Sequence, residues 1–381
     1  MLAPASVSDY RELARRRLPR LLFDYVDGGA FEEETLNANR HDLVKLTLKQ
    51  KVLRDVSALD TATTIFGQNL SMPLILAPVG FAGFMARRAE AQAARAAEKA
   101  GIPFTLSTVG VCPIDEVRKA TTKPFWFQLY MMKDRGVVRE IIARAAAANC
   151  GALVFTVDLP VLGTRYRDIR NGFGVQLSRP QMARMAWNFA THPRWIYDVG
   201  VKGRPLTFGN LIDVLPGPLS LGPMLAWTAS AIDSSVTWKD LEWVRNLWKG
   251  PLILKGVLDE DDAREAVATG ADGIVVSNHG GRQLDAAQSS IMALPKIVEA
   301  VGTKTTVLMD GGIRSGQDVT RALALGAKAC MIGRAWVYGV AAKGEAGVTA
   351  VLETMKRELR TSMALIGKTR VQDIDASVLQ S

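Results

Sequence analysis

The sequence predicts a (β/α)8 barrel, because eight short and continuously apolar segments alternate with helix-like stretches along its 381 residues. Continuous apolar strands are typical of a parallel sheet covered by helices, and eight strand–helix units close such a sheet into a barrel. A doubly wound dinucleotide fold would carry GxGxxG after an early strand, and the nearest approach, GFG at 172–174, lacks the third glycine. The predicted strands are 74–77, 104–106, 125–129, 153–157, 252–254, 274–276, 307–309 and 329–332.

The connections between these strands are short except for one. Most hold a single helix-like stretch and two loops, whereas the chain between the fourth and fifth strands is several times longer. We therefore expect a single domain with a helical extension over 1–70, a barrel over 71–340 that includes an insertion over 175–240, and a helical segment over 341–381. Because barrel active sites lie at the carboxyl ends of the strands, the insertion should lie over or beside the site.

Composition and charge exclude several classes of protein. Hydrophobic residues make up 48% and charged residues 22% of the chain, which are the values of a globular domain and not of a disordered or coiled-coil protein. The net charge of +9 suits an anionic ligand or lipid surface, and no nucleic-acid-binding motif accompanies it. Three widely spaced cysteines indicate a reducing compartment, and three histidines without HExxH predict no metal site. No secretory signal is visible, so we expect a cytoplasmic location.

Glycines and arginines follow the last two predicted strands. DGGIR at 310–314 follows the seventh strand, and IGR at 332–334 ends the eighth. Glycine lets the backbone approach an anion closely, and the N-terminus of the following helix adds its dipole. These motifs predict a phosphate site, with ordinary turn glycines beside solvated arginines as the alternative.

The sixth strand ends in SNHGGRQLD at 277–285, which points to acid–base chemistry. The imidazole of His279 titrates near neutral pH and can accept a proton, and the guanidinium of Arg282 can bind a carboxylate. Asp158, at the end of the fourth strand, can orient and stabilise the imidazole from across the mouth. Two alternatives remain open: a phosphate-binding aldolase or isomerase in which Lys255 forms a Schiff base, and a basic protein that only docks lipid or nucleic acid.

Motifs at the strand ends carry a resemblance that covers nearly the whole chain. They run from FDYVDGGA at 23–30 through LAPVG, FTLST, WFQLY, FTVDLP and LILKG to SNHGGRQLD, DGGIRSG and IGRA. The chain resembles the FMN-dependent L-2-hydroxy acid dehydrogenases and oxidases, and within them the bacterial quinone-linked enzymes of the respiratory chain that act on L-lactate. The resemblance implies a TIM barrel, FMN as the cofactor and oxidation of L-lactate to pyruvate, with an L-mandelate dehydrogenase or an oxygen-using L-2-hydroxy acid oxidase as alternatives.

The resemblance also implies roles for particular residues. His279 matches an active-site base that works with flavin N5 as the electron acceptor, and Asp158 matches the carboxylate paired with that base. Tyr130 matches a hydroxyl that faces the substrate oxygen. The matches to the groups that hold the substrate are Tyr25, Arg165 and Arg282, together with Tyr130.

A larger set of residues matches cofactor contacts. Lys255 matches the lysine near flavin N1 and O2. The other matches along the flavin ring are Pro78, Val79, Gly80, Ser107, Gln128, Thr156 and Ser277, and the matches at the phosphate are Asp310, Gly312, Arg314, Gly333 and Arg334. Gly80 stands where glycolate oxidase-type members carry alanine, and Val109 where glycolate oxidase carries tryptophan. We therefore expect slow reaction with oxygen and a pocket that admits lactate or a larger acid.

The insertion contains a segment that mixes basic and large apolar side chains. Between 179 and 195 these are Met182, Met185, Trp187, Phe189 and Trp195, interleaved with Arg179, Arg184 and Arg194. Such a mixture is typical of segments that lie on anionic lipid, and a lid whose tryptophans pack inward is the alternative. The resemblance favours lipid, and it implies peripheral attachment at the cytoplasmic face of the bacterial inner membrane, a membrane quinone as electron acceptor and a homotetramer.

Overall fold

Eight parallel strands form a ring in the computed structural model, which describes residues 3–173, 175–215 and 221–380. A hairpin of β1 (Thr63–Ile65) and β2 (Gln68–Leu70) comes first in the chain. The barrel strands are β3 (Leu74–Leu76), β4 (Thr105–Ser107), β5 (Trp126–Leu129), β6 (Ala152–Thr156), β7 (Leu252–Val257), β8 (Gly273–Val276), β9 (Thr306–Met309) and β10 (Ala329–Ile332). From β4 to β10 each strand pairs with the next, β10 pairs with β3, and a bridge between Leu76 and Phe104 joins β3 to the start of β4. The predicted TIM barrel is confirmed.

The largest difference from the predicted strands is at the end of β7. The sequence places this end at 254, because a polar Lys-Gly pair follows, but the strand continues to Val257. Gly256 has a φ of 111°, and the pairing of β7 with β8 shifts register between Lys255 and Val257. A glycine tolerates this backbone angle and allows the bulge, so Lys255 lies within the strand and not beyond it.

The barrel interior is filled by apolar side chains and is covered at the amino ends of the strands. Successive side chains alternate between the two faces of a strand, so Val154 and Ile253 pack inside while Phe155 and Leu254 pack against the helices. The β1–β2 hairpin adds Ile65 to the interior cluster. The barrel is therefore a packed core, and the carboxyl ends of the strands remain for a site.

Helices surround the barrel and extend the chain at both ends. The helices are α1 (Val7–Arg17), α2 (Arg20–Asp27), α3 (Glu34–Lys45), α4 (Ala89–Ala100), α5 (Ile114–Ala120), α6 (Arg135–Ala147), α7 (Tyr166–Arg170), α8 (Arg179–Ala190), α9 (Pro193–Trp195), α10 (Leu221–Ala231), α11 (Trp238–Leu247), α12 (Glu260–Ala268), α13 (Ser290–Val301), α14 (Gly316–Ala324) and α15 (Arg334–Leu365). A π-helical stretch (Ile196–Val201) follows α9, and the backbone of α15 is not helical at Lys343 and Gly344. Within the described ranges, no helix has both the length and the apolarity needed to cross a bilayer.

One part of the segment 179–195 fits the predicted lid, and another part fits the predicted lipid-binding surface. The ring N–H of Trp195 donates to the carbonyl of Phe84 (2.8 Å), and Trp195 is buried, as a lid would require. In contrast, all of α8 is described and none of its residues is buried. Trp187 is 72% exposed. Met182, Met185 and Trp187 of α8 are therefore exposed, whereas Phe189 packs against Trp195 (ring centroids 5.4 Å), which belongs to the core.

Candidate active site

A cleft of about 1070 Å³, part of it open to solvent, lies at the carboxyl ends of the barrel strands. Loops after the strands form most of its wall, and residues of α2, α10 and α15 complete it. The predicted site residues that line it are Tyr25, Pro78, Val79, Gly80, Tyr130, Arg165, Lys255, His279, Arg282, Asp310, Gly312, Arg314, Gly333 and Arg334. The other predicted residues lie at the same strand ends but outside this lining; they are Ser107, Gln128, Thr156, Asp158 and Ser277.

His279 follows β8 and pairs with a carboxylate that follows β6. Its Nδ1 lies 2.8 Å from Oδ1 of Asp158. Burial lowers the pKa of His279 and outweighs the opposing effect of Asp158, so the ring is neutral near pH 7. Burial raises the pKa of Asp158, but His279 and Lys255 together hold it below its usual value, so the carboxylate is ionised. Since an ionised carboxylate only accepts hydrogen bonds, Nδ1 carries the proton and Nε2 is free to act as a base.

Two arginines flank the ring of Tyr25 within the cleft. The guanidinium carbon of Arg282 lies 5.0 Å from the ring centroid, and that of Arg165 lies 5.9 Å from it. Burial and the nearby charge of Arg165 lower the pKa of Arg282 to about 10. Burial also raises the pKa of Tyr130, whose hydroxyl therefore stays protonated and can donate. An anion bound between the arginines would relieve their mutual repulsion, so the arrangement suits a carboxylate.

Lys255 is held as a buried ammonium group. Its Nζ donates to Oγ of Ser277 (2.8 Å) and lies 3.1 Å from Oδ2 of Asp310. Burial lowers the pKa of Lys255, but Asp310 and Asp158 raise it by more, so the net shift is upward. A Schiff base requires a neutral amine, and this environment disfavours one. The structure therefore argues against the aldolase alternative.

Several buried polar atoms at the strand ends can form hydrogen bonds with a ligand. Oγ of Ser107 donates to Oε1 of Gln128 (3.0 Å). Within the described part of the chain, Nε2 of Gln128, Oγ1 of Thr156 and Oδ1 of Asp310 are buried without a hydrogen-bond partner. Buried polar atoms are costly when they stay unpaired, so these three suit a ligand with donors and acceptors along one edge.

Positive charge is concentrated at the other end of the cleft. Arg334 donates to the carbonyls of Val26 (2.9 Å) and Gly28 (2.7 Å), and burial together with nearby arginines lowers its pKa to about 9. Burial also lowers the pKa of Arg314. Gly333 lies immediately before α15, so the N-terminus of that helix points its dipole toward the same place. This end suits a phosphate group.

Sequence motifs did not reveal all of the cleft wall. Leu159 and Leu162 follow β6, and Leu225 and Thr228 come from α10 in the insertion. All four are uncharged; Leu159 lies within the FTVDLP motif but carries no polar group that would mark it, and the other three lie outside the motifs. The position of the insertion after β6 predicted that the insertion lies near the mouth of the barrel. It did not predict which side chains of the insertion reach the cleft.

The mouth of this barrel combines a neutral imidazole, a pair of arginines and an end suited to phosphate. These features define a class of enzymes that hold an anionic substrate beside a phosphorylated cofactor. The model of one family, the FMN-dependent dehydrogenases, matches residues 14–381, and the chain belongs to this family. It is 53% identical over 376 residues to the L-lactate dehydrogenase of Caulobacter vibrioides (strain NA1000 / CB15N), across 98% of this chain and 97% of that protein. It is 51% identical over 375 residues to the L-lactate dehydrogenase of Actinobacillus pleuropneumoniae serotype 5b (strain L20), across 98% of both.

Solved structures with the same fold include enzymes of mandelate metabolism. A crystal structure of the monotopic membrane protein (S)-mandelate dehydrogenase matches with a TM-score of 0.92 and 37% identity, across 99% of both chains. A mandelate oxidase with (S)-4-hydroxymandelic acid matches with a TM-score of 0.86 and 37% identity, across 99% of this chain and 98% of that one. The expected family is therefore confirmed, and with it FMN as the cofactor.

The residues of the cleft and of the adjoining strand ends fit FMN. The unpaired atoms of Gln128, Thr156 and Asp310 offer hydrogen bonds to a polar ring edge or ribityl chain. Arg314 and Arg334 offer charge for a phosphate at the opposite end.

Proposed function

We propose that the protein oxidises L-lactate to pyruvate with FMN. The observation that carries this proposal is the neutral His279, oriented by Asp158, in the same cleft as the arginines beside Tyr25. The names of its relatives at 51% and 53% identity support L-lactate as the substrate. Bound FMN would supply the acceptor for two electrons, at N5 of its ring, which no side chain of the site can replace.

The substrate would be held by its carboxylate and activated at its hydroxyl. Arg282 and Arg165 would pair with the carboxylate beside Tyr25, and Tyr130 would donate its hydroxyl proton to a substrate oxygen. Nε2 of His279 would accept a proton from the substrate. Asp158 would stabilise the resulting imidazolium, as it holds Nδ1–H in the neutral ring.

The remaining predicted residues would hold the cofactor. Arg314, Gly333 and Arg334, with Asp310 and Gly312, would bind the phosphate end. Lys255 would place its ammonium against the ring, held there by Ser277. The other proposed ring contacts are Pro78, Val79, Gly80, Ser107, Gln128 and Thr156.

The test is the visible spectrum of the purified protein before and after anaerobic addition of L-lactate. We expect a flavin spectrum that bleaches with L-lactate but not with D-lactate. L-mandelate is the second candidate substrate, because of the mandelate enzymes among the structural neighbours and because Val109 is a small residue in the cleft wall. Bleaching by L-mandelate alone would favour that alternative. A protein that gains no chromophore when reconstituted with FMN would contradict the proposal.

We further propose that a membrane quinone accepts the electrons and that α8 attaches the protein to anionic lipid at the cytoplasmic face of the inner membrane. The exposed apolar and basic side chains of α8 support attachment, as does the similarity to a monotopic membrane protein. After reduction by L-lactate, the flavin spectrum should recover on addition of a quinone and recover only slowly in air. Rapid, stoichiometric formation of peroxide would favour an oxygen-using oxidase.

A further inference from the structure

The loop that follows β8, residues 277–289, rests on α3 of the N-terminal extension. The carboxylate of Asp285 accepts the backbone N–H groups of Glu32 (3.1 Å) and Thr35 (2.8 Å) at the start of α3. The carbonyl of Gly281 accepts the backbone N–H of Ala30 (2.8 Å). The loop that carries His279 is thus attached to an element outside the barrel.

Two buried amides form a reciprocal pair at the centre of this contact. Nδ2 of Asn39 donates to Oδ1 of Asn278 (2.8 Å), and Nδ2 of Asn278 donates to Oδ1 of Asn39 (2.8 Å). Asn278 also donates to the carbonyl of Gln288 (3.1 Å) and accepts the N–H of Gly281 (3.0 Å). Both side chains are buried. Asn278 therefore ties the two ends of the loop to each other and to α3.

The residue after Asn278 has a backbone conformation that needs support. His279 has a φ of 57°, in the left-handed region that residues with a Cβ seldom adopt. Its N–H donates to Oγ of Ser277 (3.1 Å), which fixes one side of the turn. Such conformations persist where the surrounding structure determines them, and they are common at catalytic residues. The buried amide pair joins this turn to α3, while Nζ of Lys255 joins it to β7 through Oγ of Ser277 (2.8 Å).

We propose that Asn39 is a positioning residue for His279, acting through Asn278. The proposal rests on the role of His279 as the base. Without the amide of Asn39, the buried amide of Asn278 loses a donor and an acceptor together. The turn then relaxes, and the imidazole leaves its position beside Asp158. The proposal gives a role in positioning His279 to Asn39 and Asn278, neither of which lines the cleft.

The first experiment compares Asn39→Ala with Asn37→Ala, an exposed residue on the same helix. In Asn39→Ala we expect the rate constant of FMN reduction by L-lactate to fall at least tenfold. The KM for L-lactate should change much less, because Arg282 has its own anchors on the carbonyls of Tyr25 (2.6 Å) and Gly28 (3.0 Å). FMN content should stay at the wild-type level, and Asn37→Ala should behave as wild type. Should Asn39→Ala fail to fold, Asn39→Ser provides the same comparison.

The pair also predicts a double-mutant result. If the two amides act as a unit, Asn39→Ala/Asn278→Ala should reduce FMN no more slowly than Asn278→Ala alone. If the effects of the two substitutions on the rate of FMN reduction multiply instead, Asn39 does not act through Asn278, and the proposal is overturned.

The second experiment observes the histidine directly. The chain has three histidines, so NMR of protein labelled at histidine Cε1 gives three signals, and His279→Gln identifies the relevant one. Asn39→Ala should move the His279 signal and leave that of His192, in the insertion, in place; His41 lies on α3 two residues from Asn39 and is not a reference. An unmoved signal with an unchanged reduction rate would overturn the positioning role. A moved signal with an unchanged reduction rate would support positioning but contradict the proposed role of His279 as the base.

Discussion

The protonation state of His279 follows from two opposing influences on one side chain. Burial lowers its pKa from the ordinary value of 6.5, and the attraction of Asp158 opposes this shift without cancelling it. The neutral form is the one that can accept a proton. A group whose pKa is depressed keeps its neutral form to lower pH, so the base should remain competent below pH 6.5.

Protonation of His279 should therefore limit activity on the acid side. We expect kcat/KM for L-lactate to stay level as pH decreases to 6.5 and to decline below it, as His279 becomes protonated. In Asp158→Asn the decline should move to still lower pH, and the rate at pH 7 should drop about 100-fold or more. Asp213→Asn, an exposed position in the insertion, is the control. The pH dependence of kcat/KM measures this, and an acid limb centred above pH 6.5 would show that another group is the base.

A second prediction at this scale concerns Gly80 and Val109. A Cβ built on Gly80 would lie 2.6 Å from Cγ2 of Val109, closer than two packed carbon atoms approach. Gly80→Ala should therefore lower the free energy of unfolding by about 1–3 kcal/mol. Adding Val109→Ala removes the obstructing methyl, so the double variant should be more stable than the two single costs predict. Urea unfolding of all three variants gives this coupling, and additive costs would mean that another atom obstructs the alanine.

At the scale of elements, the barrel was predictable because burial on both faces produces continuous apolar segments. β10 was predicted and found at Ala329–Ile332. β4 was predicted at 104–106 and found at Thr105–Ser107, because hydrogen bonds to neighbouring strands determine the ends. The carboxyl ends of parallel strands meet at one end of a barrel, so the sequence alone predicts that Asp158 and His279 lie near each other.

The contacts between separate elements could not be predicted in this way. Asn39 and Asn278 are 239 positions apart, and each is one polar residue among many. The same holds for Asp27, which accepts hydrogen bonds from Arg11 (2.5 and 2.7 Å), Arg167 (2.9 Å) and Tyr338 (2.7 Å). Periodicity reports which face of an element is buried but not which element covers it. The contacts between elements that hold the site residues in place can therefore be identified only once the fold is known.

At the scale of the whole molecule, the insertion and the cleft share one end of the barrel. Leu225 and Thr228 of α10 line the cleft, while α8 of the same insertion exposes Met182, Met185 and Trp187. The net charge of +9 favours approach to an anionic surface, although it does not select α8. If α8 lies on lipid, α10 of the same insertion would bring the mouth of the cleft toward the membrane, where the proposed quinone acceptor would be dissolved.

This arrangement predicts that lipid binding and flavin reduction can be separated. Replacing Met182, Met185 and Trp187 by serine should weaken binding to vesicles of anionic phospholipid by about tenfold or more, because apolar side chains of α8 supply the buried area. FMN content and reduction by L-lactate should be unchanged, because these residues lie outside the cleft. Vesicle sedimentation measures the binding.

The matched control is Val52→Ser/Leu53→Ser, which removes two apolar side chains that are 71% and 99% exposed in the segment between α3 and β1. Equal losses in both variants would indicate nonspecific adsorption through any exposed apolar residue. Undiminished binding of the α8 variant would exclude that helix as the lipid-binding surface. Loss in the α8 variant alone, with flavin reduction intact, would place the membrane contact on the insertion, another part of which lines the cleft.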